Sequence, residues 1–104
     1  MTIYIVNSFY PKITEANEIA KLVIKKKLAA CVNISKDIKS IFMWNNKLNN
    51  IKEVELSFKT NEKKVKQLVS FLEKNHSYDC PCIIASPIKK NNKKFLNWLN
   101  QQIN

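Results

Sequence analysis

Donor atoms crowd into one short stretch of this chain. Between positions 76 and 82 stand His76, Tyr78, Asp79, Cys80 and Cys82: an imidazole, a phenol, a carboxylate and two thiols. In an extended segment side chains alternate between faces, so Cys80 and Cys82 point the same way. Two thiolates and an imidazole could hold Cu(I) or Zn²⁺, because soft thiolates suit those ions. The competing reading has Cys80 facing the core while His76 and Tyr78 order a turn. Cys31, between Ala29-Ala30 and Val32, has the same two readings: a soft-metal thiolate, or a small apolar group packed at a helix-to-strand junction.

Two larger side chains complete the set of candidates. Lys59 sits on the outward side of a strand, where it could pair with Glu53, Glu55 or Asp79. Trp44 is large and apolar at what reads as a hairpin tip, a place where subunit contact would remove it from water. Enzymatic chemistry is harder to build. The chain has one His and no nucleophile–His–acid trio. It also has no Arg to hold a transferring phosphoryl group. The residues therefore point to a binding and assembly module rather than an enzyme.

Those candidates must be positioned by alternating strands and helices. Residues 2–9 form a β-rich run that is apolar on both faces, as in a central strand. Residues 14–28 carry Ala16, Ile19, Ala20, Val23 and Ile24 on one helical stripe. Thr14 is the expected N-cap, and Glu15 and Lys25 complement the helix dipole at its two ends. Residues 31–44 read as a long strand with a bend or bulge at Lys36-Asp37. Asn45-Asn46 is a two-residue hairpin signal, since Asn tolerates positive φ best in a chain without Gly. Residues 47–60 return as the partner strand, with Val54, Leu56 and Phe58 inward and Glu53, Glu55, Ser57 and Lys59 outward. A helix over 62–75, capped by Thr60 or Asn61, a strand over 82–86 and a helix over 92–103 follow. The order β-α-β-β-α-β plus a C-terminal helix is a ferredoxin-like α/β (α+β) sandwich. Right-handed crossovers put both main helices on one face of its sheet. One such domain accounts for all of residues 1–104.

The net charge of +10 raises nucleic acid as a partner. All 18 basic residues are Lys, however, and the absence of Arg and Gly alongside abundant Asn and Ile reads as compositional bias. Nucleic acid is therefore not the expected partner, and a basic ferredoxin-like RNA-binding module remains the alternative. No run approaches the roughly 20 apolar residues that span a bilayer. Residues 1–9 read as a strand and not a signal peptide, so no membrane insertion and a cytoplasmic location are expected.

Five stretches together resemble the CutA family of divalent-cation tolerance proteins. They are KLAACVN at 27–33, SIFMWNNKL at 40–48, FKT at 58–60, HSYDCP at 76–81, and Trp98. The likeness covers about residues 3–100. It implies a ferredoxin-like fold like that of the PII signalling proteins, assembled as a homotrimer, and a role in tolerance of copper and other divalent metals. The same likeness admits a PII-like signalling module. Cys31, Trp44, Lys59, His76 and Tyr78 match family positions. Four positions depart from the pattern: Asn46 replaces the usual turn Gly, Ser77 and Asp79 replace Pro and Glu, and Cys82 stands where a Glu is common. The expected metal-binding residues are thus Cys31, His76, Cys80 and Cys82, with Trp44, Lys59, Tyr78 and Asp79 lining a ligand or inter-subunit cleft.

Overall fold

A computed structural model describes residues 1–104. The elements are β1 (Ile3–Tyr10), α1 (Ile13–Lys25), β2 (Cys31–Trp44), β3 (Lys47–Asn61), α2 (Val65–Lys74), β4 (Ile83–Ile88) and α3 (Lys93–Gln102). The four strands form one antiparallel sheet in the order β2-β3-β1-β4. This is the expected ferredoxin-like order, with β1 and β3 central.

Alternation along the central strands decides which face the helices cover. Val6, Ser8 and Tyr10 of β1 lie opposite Phe58, Leu56 and Val54 of β3. The apolar residues among these join Ala16, Ile19, Ala20 and Val23 of α1 and Leu68 and Leu72 of α2 in the main buried cluster. Both main helices therefore share one face. The other face is covered at one end by α3, which sets Leu99 and Ile103 against Ile3, and near Glu53 by the α2–β4 connection. Removing a large apolar side chain from water contributes about 1.5–3 kcal/mol, so these clusters carry most of the fold's stability.

Helix boundaries depart from the periodic pattern for local reasons. Thr14 is not a cap: α1 starts at Ile13, with Lys12 before it and no side-chain cap. The same helix stops at Lys25 rather than Leu28 because Lys27 takes a positive φ of 58°. Leu28 N–H then donates to the Val23 carbonyl and Lys27 N–H to the Ile24 carbonyl. That pair of bonds is a Schellman ending, here with Lys in the left-handed position that Gly usually takes. Helix α2 begins at Val65, after a turn in which Asn61 Oδ1 accepts from the Lys63 and Lys64 amides at 3.0 and 3.2 Å. Asn61, not Thr60, thus organises the start; the Thr60 hydroxyl donates instead to the Leu28 carbonyl. Strand β4 is shifted to Ile83–Ile88, and α3 begins one residue after the expected Asn92.

The β2–β3 hairpin is the longest feature and runs past the rest of the sheet. Its turn is Asn45-Asn46, with φ of 52° and 63°, as a two-residue type I′ connection requires. Between Ser35 and Ile38 the register shifts, with Ser35 opposite Glu55 and Ile38 opposite Glu53. Lys36 and Asp37 thus face the single residue Val54, and Asp37 has φ 60°. This bulge reverses the parity of β2. Cys31, Asn33 and Ser35 lie on the open face before it; Ile38, Ser40, Phe42 and Trp44 lie on that face after it.

Candidate functional site: an aromatic cleft at the root of the hairpin

Three segments meet on the open face beside the bulge. The hairpin supplies Ser40, Phe42 and Trp44 from β2 and Asn49, Ile51 and Glu53 from β3. The end of β1 supplies Phe9, and the α2–β4 connection supplies Ser77 to Cys80 and Cys82. Together they enclose a cleft of about 630 Å³. Register explains the convergence, since Ser40 pairs with Ile51 and Phe42 with Asn49, which puts all four on one face.

The α2–β4 connection is held to this floor by side-chain hydrogen bonds. The Tyr78 hydroxyl donates to Glu53 Oε2 at 2.8 Å. Ser77 donates its amide and hydroxyl to the Glu15 carboxylate of α1, at 3.1 and 2.7 Å. His76 uses both ring nitrogens: Nδ1 accepts from the Tyr78 amide at 3.0 Å, and Nε2 donates to the Phe9 carbonyl at 2.7 Å. These partners fix the neutral Nε2–H tautomer. The imidazole also stacks on Tyr10 at 4.4 Å with 13° between ring planes. His76 is therefore a structural clasp between the connection and β1.

Two phenols in this region resist ionisation. Burial, together with the Glu53 carboxylate that accepts its proton, pushes Tyr78 far above the ordinary value for a phenol. Tyr10 is pushed up to about 12, chiefly by burial. A phenolate at either place would be poorly solvated, and at Tyr78 it would also face an existing carboxylate.

The expected candidates divide between two places. Trp44, Tyr78, Asp79, Cys80 and Cys82 all line the cleft. Cys80 and Cys82 are exposed and unbridged, so neither is a core residue. Cys31 is half-buried and lies opposite Lys59 in the ladder. Lys59 is six residues along β3 from Glu53, about 20 Å at strand spacing, so Cys31 and Lys59 lie far from the cleft within one chain. Lys59 does not pair with Glu53, Glu55 or Asp79; its Nζ donates to Asn33 Oδ1 at 2.7 Å. No three His, Cys, Asp or Glu side chains converge to hold a metal ion within one chain.

Glu53 corrects another expectation. Alternation with Val54 puts it on the outward side, yet it is buried, because the Tyr78 segment covers it. Phe9 and Phe42 were not among the candidates, and only the ladder register shows that they belong with Trp44. Glu55, which remains on the open face, accepts from Asn7 Nδ2 at 2.8 Å.

A four-stranded ferredoxin-like sheet with one long apolar hairpin and an aromatic cleft at its root defines a small α+β fold. The family model described as CutA1 divalent ion tolerance protein matches residues 4–102. The divalent-cation tolerance protein CutA of Archaeoglobus fulgidus is 41% identical over 93 residues, covering 89% of this chain and 90% of that one. Mouse protein CutA is 38% identical over 86 residues, covering 83% of this chain and 49% of that protein, so the chain spans about half of that longer relative. Among solved structures, CutA1 from Oryza sativa superposes with a TM-score of 0.95 at 36% identity, covering 100% of this chain and 95% of that one. The structure described as the periplasmic divalent cation tolerance protein CutA from Archaeoglobus fulgidus gives 0.93 at 37% identity, covering 98% and 99%. The chain belongs to the CutA1 divalent ion tolerance family.

Proposed function

We propose that this chain is a non-enzymatic, homotrimeric module of divalent-cation tolerance, which takes up copper, another metal ion or a small ligand at the hairpin-root cleft. The observation that carries the reading is the apolar hairpin. Ile41, Met43, Trp44 and Leu48 are 61%, 62%, 50% and 72% exposed in the single chain. Ile41, Met43 and Leu48 lie on one face of the hairpin and Trp44 on the other, and soluble monomers seldom leave so much apolar surface in water. Packing the hairpin against neighbouring copies buries it and narrows the mouth of the cleft. In such an assembly Lys59 or Cys31 of one copy can approach the cleft of another, which one chain alone does not permit.

Cys31, His76, Cys80 and Cys82 stand as the proposed donors, and Trp44, Lys59, Tyr78 and Asp79 as the proposed cleft residues. They are not equally available. A metal at His76 must first displace the Phe9 carbonyl or the Tyr78 amide, whereas the thiols of Cys80 and Cys82 carry no such tie. Three unbridged thiols also suit a reducing compartment such as the cytoplasm. The RNA-binding alternative is disfavoured by the Glu55 carboxylate on the open face, where a phosphate would lie.

Native mass spectrometry of the reduced protein, titrated with Cu(I), Cu(II) and Zn(II), tests the reading. A trimer that takes up metal in a fixed ratio per chain supports it. A monomer at micromolar concentration removes the trimer. Scattered weak adducts on a trimer remove direct metal binding and leave the small ligand.

A further inference from the structure

The three-ligand arrangement that suits Zn²⁺ is missing from a single chain. What the chain does assemble is a thiol pair with a rigid spacer. Cys80 and Cys82 line the same cleft, are exposed, and are joined only by Pro81. A residue before proline is confined to extended conformations, and proline fixes its own φ near −65°. The backbone between the thiols thus has little freedom to lose when both engage one ion. Neither thiol contributes to the buried clusters, so packing does not account for them.

We propose that Cys80 and Cys82 form a two-thiolate site for Cu(I) at the mouth of the aromatic cleft. The assignment deepens the metal-binding reading of the cleft and rests on it. Soft thiolates select Cu(I) over the hard divalent ions, and Cu(I) is satisfied by two such ligands, whereas zinc centres use three or four protein ligands. Both thiols give up their protons on binding, so two protons go to solvent for each ion bound, and apparent affinity rises with pH. Asp79 supplies a carboxylate beside the cation in a strongly basic chain. Trp44 lines the same cleft, so its indole fluorescence reports occupancy.

The test is anaerobic competition for Cu(I) between the reduced full-length protein and a chromogenic Cu(I) chelator. The variants are Cys80→Ser, Cys82→Ser and, as a control, Ser86→Ala on the exposed part of β4, each first shown by circular dichroism and light scattering to keep the parent's fold and assembly. The expected result is one Cu(I) per chain for the parent and for Ser86→Ala. Cys80→Ser and Cys82→Ser should each lose affinity by roughly 100-fold or more, the usual scale of losing one of two tethered contacts. Quenching of Trp44 fluorescence, read in a Trp98→Phe background, should follow the same order. Unchanged competition by Cys80→Ser and Cys82→Ser overturns the proposal, as does a loss of equal size in Ser86→Ala. The broader reading fails separately. If the parent holds Cu(II) or Zn(II) but not Cu(I), the two-thiolate site is wrong and metal binding stands; if it holds none of the three, both are wrong.

Discussion

The hydroxyl of Tyr78 donates a 2.8 Å hydrogen bond to the buried carboxylate of Glu53. These residues lie 25 apart in sequence, and their bond fastens the α2–β4 connection to the root of the hairpin. It also satisfies a carboxylate that would otherwise be buried without a donor. Tyr78→Phe removes the donor and leaves the acceptor in place, the costly half of a broken buried bond. Urea denaturation should show a loss of about 1–3 kcal/mol. Replacing Glu53 by Gln together with Tyr78→Phe should cost less than the sum of the two single changes. Additive costs in that double-mutant cycle would mean that the pair is not coupled.

The same phenol sets an alkaline limit. Tyr10 and Tyr78 both have folded-state pKa values above the ordinary phenol value of 10.0. Above that value the unfolded chain releases protons that the folded chain retains. Stability then falls as pH rises, since it falls wherever the native state binds more protons. The contribution is complete below pH 10.0 and is lost as the pH climbs toward the folded value of about 12 for Tyr10. Urea midpoints should therefore be level below pH 10.0 and decline above it, and Tyr78→Phe should show a shallower decline. An equal slope in parent and variant would remove Tyr78 from the account.

A chain without glycine must place other residues at positive φ, and Lys27 is one of four that do so. The left-handed conformation costs a non-glycine residue about 1–2 kcal/mol. Lys27→Gly relieves that cost but frees the unfolded chain, which offsets about 0.4–1 kcal/mol. The net gain should be several tenths of a kcal/mol to about 1 kcal/mol in thermal or urea unfolding. Asn46→Ala, at φ 63°, should move stability in the opposite direction.

How much was legible before the structure follows from the range of each interaction. The helix stripes, the Asn45-Asn46 turn and the Lys36-Asp37 bulge are local and stand where the sequence pattern places them, except that Ile24, set on the α1 stripe, is exposed near the helix end. The end of α1 was missed by three residues because a Lys in the left-handed position carries no glycine signal. Glu53 was assigned to water because alternation describes a strand by itself. Its burial depends on Tyr78, which no period of two or 3.6 residues connects to it. Lys59 was given carboxylate partners on charge alone, while the register opposite Asn33 and Cys31 supplied an amide. The cysteine pair was legible because two residues of separation in an extended segment is itself a local relation. Its meeting with Phe42 and Trp44 was not, because that depends on how the bulge resets β2.

That bulge supports a direct test of the cleft. Lys36 and Asp37 together oppose one residue of β3. Deleting Asp37 should restore simple pairing, with Lys36 opposite Val54, while Ile38 keeps its place opposite Glu53 and Phe42 and Trp44 stay on the open face. The sheet would survive, since β1, β3 and β4 are untouched. The hairpin would lose the bend and added twist that the bulge imparts, and Trp44 would shift relative to the α2–β4 connection. Circular dichroism close to that of the parent, together with altered Trp44 emission in a Trp98→Phe background, is the expected outcome. Parent-like emission would mean that the bulge does not aim the hairpin at the cleft.

The exposed hairpin gives the last prediction, on assembly. If neighbouring copies bury Ile41, Met43, Trp44 and Leu48, a polar residue at Leu48, 72% exposed in the single chain, weakens the assembly without disturbing the monomer core. Leu48→Lys removes an apolar contact worth about 1.5–3 kcal/mol if fully buried and puts a charge into each interface. A homotrimer repeats one interface around its axis, so a single change acts at every contact. Sedimentation velocity across a dilution series should show the parent holding its trimer mass at micromolar concentration and Leu48→Lys dissociating there. Lys47→Glu, next to it at the turn, changes charge without removing apolar area and should have the smaller effect. A parent that sediments as a monomer throughout, or a Leu48→Lys variant indistinguishable from it, would show that the hairpin does not hold copies of this chain together.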